Sequence, residues 1–250
     1  MGDVVELPDT AARLAVAVDV VALTIARGEL MILLATRMIP PFRGSFCLPG
    51  GFVLSDETLE QAAQRELEEE TGMDASGHLE QLSTYGPLGR DPRGPVVSVA
   101  YLVLTAFTEI PRAGGDVATA MWVPINSLPD LAFDHARIAA DGLERARAKL
   151  EYSGLATAFC PPEFTIAELR SVYEIVWGVS LDPRNFNRKV TTTPGFLEPL
   201  PPRRGQVGRP AVLYRLASSC DPSSTILNPP VLRPTPLVEN SDRHQIQPEV

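Results

Sequence analysis

Residues 51–73 read GFVLSDETLEQAAQRELEEETGM, and this stretch decides the fold. Glu66, Glu69 and Glu70 are three or four residues apart or adjacent, which places their carboxylates on one side of a helix predicted over residues 58–71. Such carboxylates repel one another, but a divalent cation such as Mg²⁺ prefers oxygen ligands and also binds phosphates. The pattern therefore predicts a metal-dependent site for a phosphorylated compound.

The alternative interpretation is a solvent-exposed acidic helix face, which is the usual fate of a run of charges. Three details favour a site instead. The glycine pair 50–51 precedes the helix, and Gly72 follows it where a C-terminal cap glycine is expected. In addition, Arg65 lies among the acids, where it can pair with Glu57 or Glu69.

The stretch resembles the Nudix box, a fixed pattern of glycine, acidic, arginine and apolar positions. The matching residues are Gly51, Glu57, Arg65, Glu66, Leu67, Glu69, Glu70, Gly72 and Met73. The resemblance implies an α/β fold in which a mixed sheet lies between helices (an α/β/α sandwich), with Mg²⁺ or Mn²⁺ as cofactor. It also implies a ligand in which a nucleoside diphosphate is linked to another group.

The same resemblance assigns a role to each position of the box. It implies catalytic roles for Glu66, Glu69 and Glu70, and metal binding by these three together with Gly51. It implies structural roles for Glu57, Arg65 and Gly72. Glu109 and Asp116 are weak candidates for an additional acidic group at the site.

The composition predicts a cytoplasmic globular protein with one large or two ordinary domains. Of the 250 residues, 44 % are hydrophobic, yet no apolar run reaches the ~18–20 residues that span a bilayer. The first residues lack the basic and then apolar plan of a signal peptide. The three cysteines, Cys47, Cys160 and Cys220, are odd in number and far apart, which fits a reducing cytoplasm. The histidines are isolated and are interpreted as structural or surface residues: His78, His135 and His244.

Charge is distributed unevenly along the chain, whose net charge is −9. Residues 1–154 carry a net charge of −10, residues 155–218 of +3 and residues 219–250 of −2. An acidic first half followed by a basic segment suggests a second module that faces DNA.

Local patterns predict the elements of the first module. Two apolar runs, 14–25 and 30–36, are separated by a turn at 27–29 and predict a hairpin. Further strands are predicted at 96–107 and 121–124. A polar, alanine-rich helix is predicted over 135–152 with Asp134 as its N-cap, and this helix links the two modules.

The loop 89–94 reads GRDPRG and leads into the predicted strand at 96–107. It is either a plain Pro/Gly turn or a ligand loop, because arginines beside a metal site suit a diphosphate or a ribose. A similar loop occurs in Nudix proteins that handle ADP-ribose. Three arginines, Arg37, Arg90 and Arg93, are therefore candidate ligand-binding residues.

The second module contains a predicted helix-turn-helix. Thr165 and Glu168 have the capping-box spacing, and the helix that follows has one apolar stripe and ends at Gly178. Asp182 and Pro183 then start another helix with the sequence PRNFNRKV. Arginine and asparagine in a second helix suit the major groove, since they bind guanine and adenine edges at two points.

A basic hairpin between two strand-like pieces, the second at 211–216, completes the pattern of a winged helix. The alternatives are an ordinary helical hairpin and solubilising surface charges. The candidate DNA-binding residues are Arg184, Asn185, Asn187, Arg188 and Lys189 of the helix, with Arg203, Arg204 and Arg209 of the hairpin.

The segments PEFTIAELRSVYEIVWG, LDPRNFNRKV and GRPAVLYR resemble the C-terminal half of Nudix-related bacterial transcriptional repressors of NAD metabolism, and the resemblance covers roughly residues 10–217. It implies a homodimer that binds double-stranded operator DNA of NAD-biosynthesis genes and senses ADP-ribose or a related nucleotide. Because the box is intact, a Mg²⁺-dependent ADP-ribose pyrophosphatase is the alternative.

Four regions are predicted: a Nudix domain (1–133), a linking helix (134–154), a winged helix-turn-helix domain (155–218) and a tail (219–250). The tail is rich in proline and serine and is predicted to be disordered.

Overall fold

The computed structural model describes residues 13–74, 78–86, 89–107, 110–201, 212–222, 226–227, 230–231 and 233–234. In the first module, the strands are β1 (Ala15–Ala26), β2 (Glu29–Arg37), β3 (Phe46–Cys47), β4 (Gly50–Phe52), β5 (His78–Tyr85), β6 (Val96–Leu104) and β7 (Val117–Pro124). Helix α1 (Leu59–Thr71) follows β4, and helix α2 (His135–Tyr152) ends the module.

These seven strands form one mixed sheet with the order β3-β2-β1-β6-β5, in which β4 pairs with β1 and β7 pairs with β2. The central pair, β1 and β6, is parallel, and the other pairs are antiparallel. Because side chains alternate along β1, Val20 packs on the α1 side, whereas Val21 packs on the α2 side. The predicted α/β/α sandwich is confirmed.

Local sequence signals explain where the helices begin and end. Thr58 and Thr165 each form a capping box, and Gly72 and Gly178 each end a helix in the left-handed conformation. One prediction differs in detail. Asp134 stands at the N-cap position of α2, but its side chain makes no capping hydrogen bond because Arg90 binds both of its oxygens.

The second module consists of β8 (Phe164–Thr165), α3 (Ile166–Trp177), α4 (Pro183–Thr192), β9 (Leu197–Pro199) and β10 (Leu213–Leu216). The three strands form a sheet in the order β8-β10-β9. Asp182 caps α4 by accepting from the backbone N–H of Asn185, and Pro183 is its first residue. This arrangement confirms the predicted winged helix.

Helix α2 connects the two modules at its C-terminal end. The Trp177 side chain of α3 donates from Nε1 to the carbonyl of Arg147, and Arg147 Nε donates to the carbonyl of Val176, both at 3.0 Å. Leu150 and Leu155 continue the core of the sheet into the core of the winged helix. No helix in the described part of the chain is long and apolar enough to cross a membrane.

Part of the segment 219–250 packs against the end of α2, which differs from the predicted disorder. The backbone N–H groups of Leu227 and Val231 donate to the carbonyls of Tyr152 and Glu151, and both side chains are buried. The composition of the segment conceals these apolar anchors because they are far apart among prolines and serines.

Candidate functional site

The arginine of the box holds the acids around it. Arg65 binds Glu57 at two points, at 2.7 and 2.8 Å, and also donates to Glu66 at 2.7 Å and to Glu69 at 3.2 Å. Glu57 also accepts from the backbone N–H of Leu54. The hydrogen bonds from Arg65 and Leu54 lower the pKa of Glu57 to about 2. These contacts have the form of a structural clamp between α1 and the loop before it.

The glycine pair before α1 lies directly against two of the acids. A Cβ atom on Gly51 would lie 2.2 Å from Oε1 of Glu66, so a larger residue would displace this carboxylate. The backbone N–H of Gly50 donates to Glu70 at 2.9 Å. Any metal contact from Gly51 is limited to its backbone, since glycine has no side-chain donor atoms.

Two acids of the box, Glu66 and Glu70, have raised pKa values. Burial, a hydrogen bond with Asp116 and the negative charge of Glu66 raise the pKa of Glu70 to about 9. Burial also raises the pKa of Glu66, although Arg65 opposes the shift. Asp116 is therefore the additional acid that meets the box, whereas Glu109 lies outside the described residues.

The chemistry of these groups fits a divalent cation. Oxygen donors with raised pKa values gain from a nearby positive charge, which relieves their mutual repulsion. As the side chains are placed, however, no three His, Cys, Asp or Glu residues of the described chain form a group that could hold a metal ion. Arg65 instead occupies one oxygen each of Glu66 and Glu69.

These acids line part of a cavity of about 450 Å³, a size in the range of small-ligand sites, and we call this part its acidic end. Cationic and aromatic side chains line the same cavity. Its lining includes Glu66, Glu69, Glu70, Asp116, Asp19, Arg37, Arg90, Arg93, Phe52, Phe133 and His135.

Arg90 lines the cavity, but its charge is already shared by two carboxylates. Its guanidinium donates to Asp19 at 3.1 Å and to Asp134 at 2.8 and 3.2 Å, and its side chain is 7 % exposed. Although burial opposes its charge, Asp134 and Asp19 raise the pKa of Arg90. Arg90 is therefore a buried bridge as well as a candidate ligand residue.

Asp19 is the centre of this buried network. His135 lies 3.3 Å from it through Nε2, and Ser98 donates a hydrogen bond to it. Because Nδ1 of His135 accepts from the backbone N–H of Leu48, Nε2 carries the proton. Burial opposes ionisation of Asp19, but His135, Ser98 and Arg90 together lower its pKa to about 2.

Arg93 and Arg37 stack on aromatic rings that line the cavity. The Arg93 guanidinium lies 4.8 Å from the ring centre of Phe52 and 5.7 Å from that of Phe133, and Asp91 pairs with it at 2.7 Å. The Arg37 guanidinium lies 5.0 Å from the Phe133 ring. The loop 89–94 therefore brings Arg90 and Arg93 to the cavity, and β2 brings Arg37.

Three cavity residues were missed or misassigned from the sequence. Asp19 interrupts an otherwise apolar strand, and that interruption was an available signal. His135 was interpreted only as a structural or surface residue. Phe133 has a φ of 54°, an uncommon conformation for a bulky residue, and no local sequence pattern predicts it.

The second candidate surface is α4. Phe186 and Val190 are buried and anchor the helix, and Phe186 packs edge-on against Tyr173 of α3. The predicted DNA-binding residues of the helix lie away from this anchor: Arg184, Asn185, Asn187 and Arg188 are exposed and Lys189 is half-buried. Arg203, Arg204 and Arg209 lie outside the described residues.

Comparisons with known proteins find matches for both modules of the chain. Residues 13–142 match the NUDIX domain, and residues 156–216 match the NrtR DNA-binding winged helix domain. The chain is 36 % identical over 204 residues to the ADPR responsive transcriptional repressor NtrR of Acinetobacter baylyi, covering 80 % of this chain and 81 % of that protein.

Two further proteins resemble parts or most of the chain. Over 110 residues it is 44 % identical to the ADP-ribose pyrophosphatase of Methanocaldococcus jannaschii, covering 44 % of this chain and 64 % of that protein. The crystal structure of Shewanella oneidensis NrtR complexed with a 27mer DNA superposes with a TM-score of 0.70 at 33 % identity, covering 84 % of this chain and 96 % of that chain.

Proposed function

Since the chain belongs to the Nudix family and carries a winged helix domain of the NrtR type, we propose that it is a DNA-binding transcriptional repressor that senses ADP-ribose or a related nucleotide through its Nudix domain. Its targets are NAD-biosynthesis genes, its site of action is the cytoplasm, and it binds double-stranded operator DNA as a homodimer. The observation that carries the proposal is a capped, anchored helix with exposed arginines on the same chain as a nucleotide-sized cavity.

The exposed face of α4 supports contact with the major groove. Arg184 and Arg188 are four residues apart, so they project from the same side of the helix, opposite the buried Phe186 and Val190. Arginine is suited to guanine edges and asparagine to adenine edges. Arg203, Arg204 and Arg209 are proposed to contact phosphates, which position the protein without reading sequence.

A gel-shift experiment tests DNA binding. Duplex DNA from upstream of NAD-biosynthesis genes is titrated with wild-type protein and with Arg188→Ala, with and without ADP-ribose. Loss of one base-reading arginine is expected to weaken binding by about 1–3 kcal/mol. Arg13→Ala, which removes an exposed charge from the Nudix half, is the control and should bind normally. Absence of any shift at low salt would contradict the proposal.

The cavity combines two groups of side chains that suit the parts of a nucleoside diphosphate. The acidic end, with Glu66, Glu69, Glu70 and the backbone of Gly51, is proposed to hold Mg²⁺ or Mn²⁺, with Asp116 beside it. The bound ion would neutralise diphosphate charge and lower the pKa of a bound water. Arg37, Arg90 and Arg93, with the Phe52 and Phe133 rings, line the same cavity and suit phosphate, ribose and a flat base.

Within this site, Arg65 has a positioning task. Its guanidinium is anchored by Glu57 and donates hydrogen bonds to Glu66 and Glu69. These bonds fix the positions of the two carboxylates beside the cavity. Glu70 is protonated at neutral pH when no cation is present, because its pKa is about 9. It must release this proton to bind a cation, so cation affinity is expected to rise with pH.

A second candidate function is hydrolysis of ADP-ribose, which the complete acidic end of the cavity favours. Glu66 lines the cavity with a raised pKa and is the candidate general base. Mg²⁺-dependent release of AMP from ADP-ribose is the test. Glu70→Gln should abolish the release, while Glu68→Gln, an exposed acid on the same helix, should not. A protein that binds ADP-ribose without releasing AMP is a sensor alone.

A further inference from the structure

Arg90 links the cavity to the residue that precedes the linking helix. Arg90 lines the cavity and bridges Asp19 of β1 to Asp134, the residue that precedes α2. Asp134 is not among the described residues that line the cavity. Arg90 is therefore a side-chain link from the cavity to Asp134, in addition to Phe133 and His135, which line the cavity themselves.

Asp134 has two alternative partners. It occupies the N-cap position of α2, where an aspartate ordinarily accepts from N–H groups of the first helical turn. The caps of α1, α3 and α4 all make that bond, whereas both oxygens of Asp134 are bound by Arg90. Asp134 held by Arg90 and Asp134 as the cap of α2 are thus two alternative arrangements, and a coupling mechanism requires such a two-state element.

Helix α2 extends from the cavity to the second module. Its 18 residues extend over about 27 Å, and its far end is bonded to Val176 and Trp177 of α3. Its middle lies very close to the sheet, since a Cβ on Gly142 would lie 2.7 Å from Cγ1 of Val21. A change at the start of α2 is therefore next to the cavity, and the other end of the same helix contacts α3.

We propose that Arg90 couples the nucleotide cavity to the DNA-binding domain. An anionic ligand that takes the guanidinium N–H groups of Arg90 releases Asp134, which then caps α2. The resulting shift of α2 moves α3 and α4. This coupling rests on the proposed function, because it needs a nucleotide in the cavity and DNA at α4. The ligand changes the balance only as far as it binds the released state more tightly.

The variant Asp134→Asn tests the coupling. Asparagine is also a good N-cap residue, but it lacks the charge that holds Arg90. The measurements are DNA affinity with and without saturating ADP-ribose, and ADP-ribose affinity by calorimetry. Ligand is expected to change the DNA affinity of the wild type by about 5–150-fold and that of the variant by less than about twofold. The free variant should bind DNA as the ligand-bound wild type does.

Asp130→Asn is the matched control, since Asp130 is exposed four residues upstream, and it should retain the wild-type response. If Asp134→Asn does not fold, Arg90→Lys replaces it, because lysine keeps the charge but loses the two-point contact. A wild-type response in the folded variant overturns the coupling, as does loss of ADP-ribose binding. If ADP-ribose leaves the DNA affinity of the wild type unchanged, the proposed sensing function is overturned as well.

Discussion

The arginines of the cavity and those of α4 have the same chemistry in opposite surroundings. Arg65 and Arg90 each bind at least two carboxylates, and their side chains are 23 % and 7 % exposed. Arg184 and Arg188 are exposed, and no carboxylate of the described chain pairs with either. Among the described residues, the Arg188 side chain donates one long hydrogen bond, 3.5 Å, to Asn185.

This difference separates arginines that stabilise the fold from arginines that are available to bind another molecule. In the cavity, the arginines pair with carboxylates of the same chain. These pairs hold the side chains of the site and the residue before α2 in place. On α4 the charges remain in water, where they stabilise little but are available to a polyanion such as DNA. The same substitution should therefore have different consequences at the two places.

The largest expected effect comes from comparing Arg90→Ala with Arg188→Ala. Loss of Arg90 leaves Asp19 buried without its cationic partner, and breaking a buried pair from one side costs about 3–5 kcal/mol. Loss of Arg188 should change the free energy of unfolding by less than about 0.5 kcal/mol. Urea denaturation followed by circular dichroism measures both values. Equal costs at the two positions would contradict the comparison.

The stability of the protein should depend on pH because of Glu70 at the acidic end of the cavity. Glu70 has a pKa raised from 4.5 to about 9, so between these values the folded protein holds a proton that the unfolded chain has lost. The free energy of unfolding should therefore fall as pH rises through this window, by at most about 1.4 kcal/mol per pH unit.

Denaturation at several pH values measures this slope in the absence of divalent cations. Glu70→Gln should flatten the slope, and the exposed Glu68→Gln should leave it as it is in the wild type. Addition of Mg²⁺ should also reduce it, because a bound cation favours the ionised carboxylate. An unchanged slope in Glu70→Gln would mean that another group titrates.

Features that depend on neighbours in sequence were predictable. The limits of α1, α3 and α4 follow from caps within a few residues, and the pairing of Arg65 with Glu57 joins residues only eight positions apart. Local hydrogen bonds dominate these features, so a short stretch of sequence contains the necessary information.

Features that depend on tertiary contacts were not predictable in the same way. Arg90 meets Asp19 across 71 positions and Asp134 across 44, and neither pairing leaves a local pattern. For that reason Arg90 was predicted to be a free ligand residue and Asp134 a helix cap. The assignment of DNA-reading side chains on α4 remains a prediction, since exposure alone does not specify which base each one contacts.

The smallest expected effect concerns the segment that lies along α2. Arg233 pairs with Glu144 at 3.2 Å, and Glu144 is 58 % exposed, so solvent screens the pair. Arg233→Ala should lower the free energy of unfolding by less than about 1 kcal/mol. Leu227 is buried and its backbone bonds to Tyr152, so Leu227→Ala should cost more than Arg233→Ala in the same denaturation experiment. The reverse order would mean that the ion pair, rather than apolar burial, holds this segment against α2. It would also contradict the conclusion that exposed charges contribute little to stability.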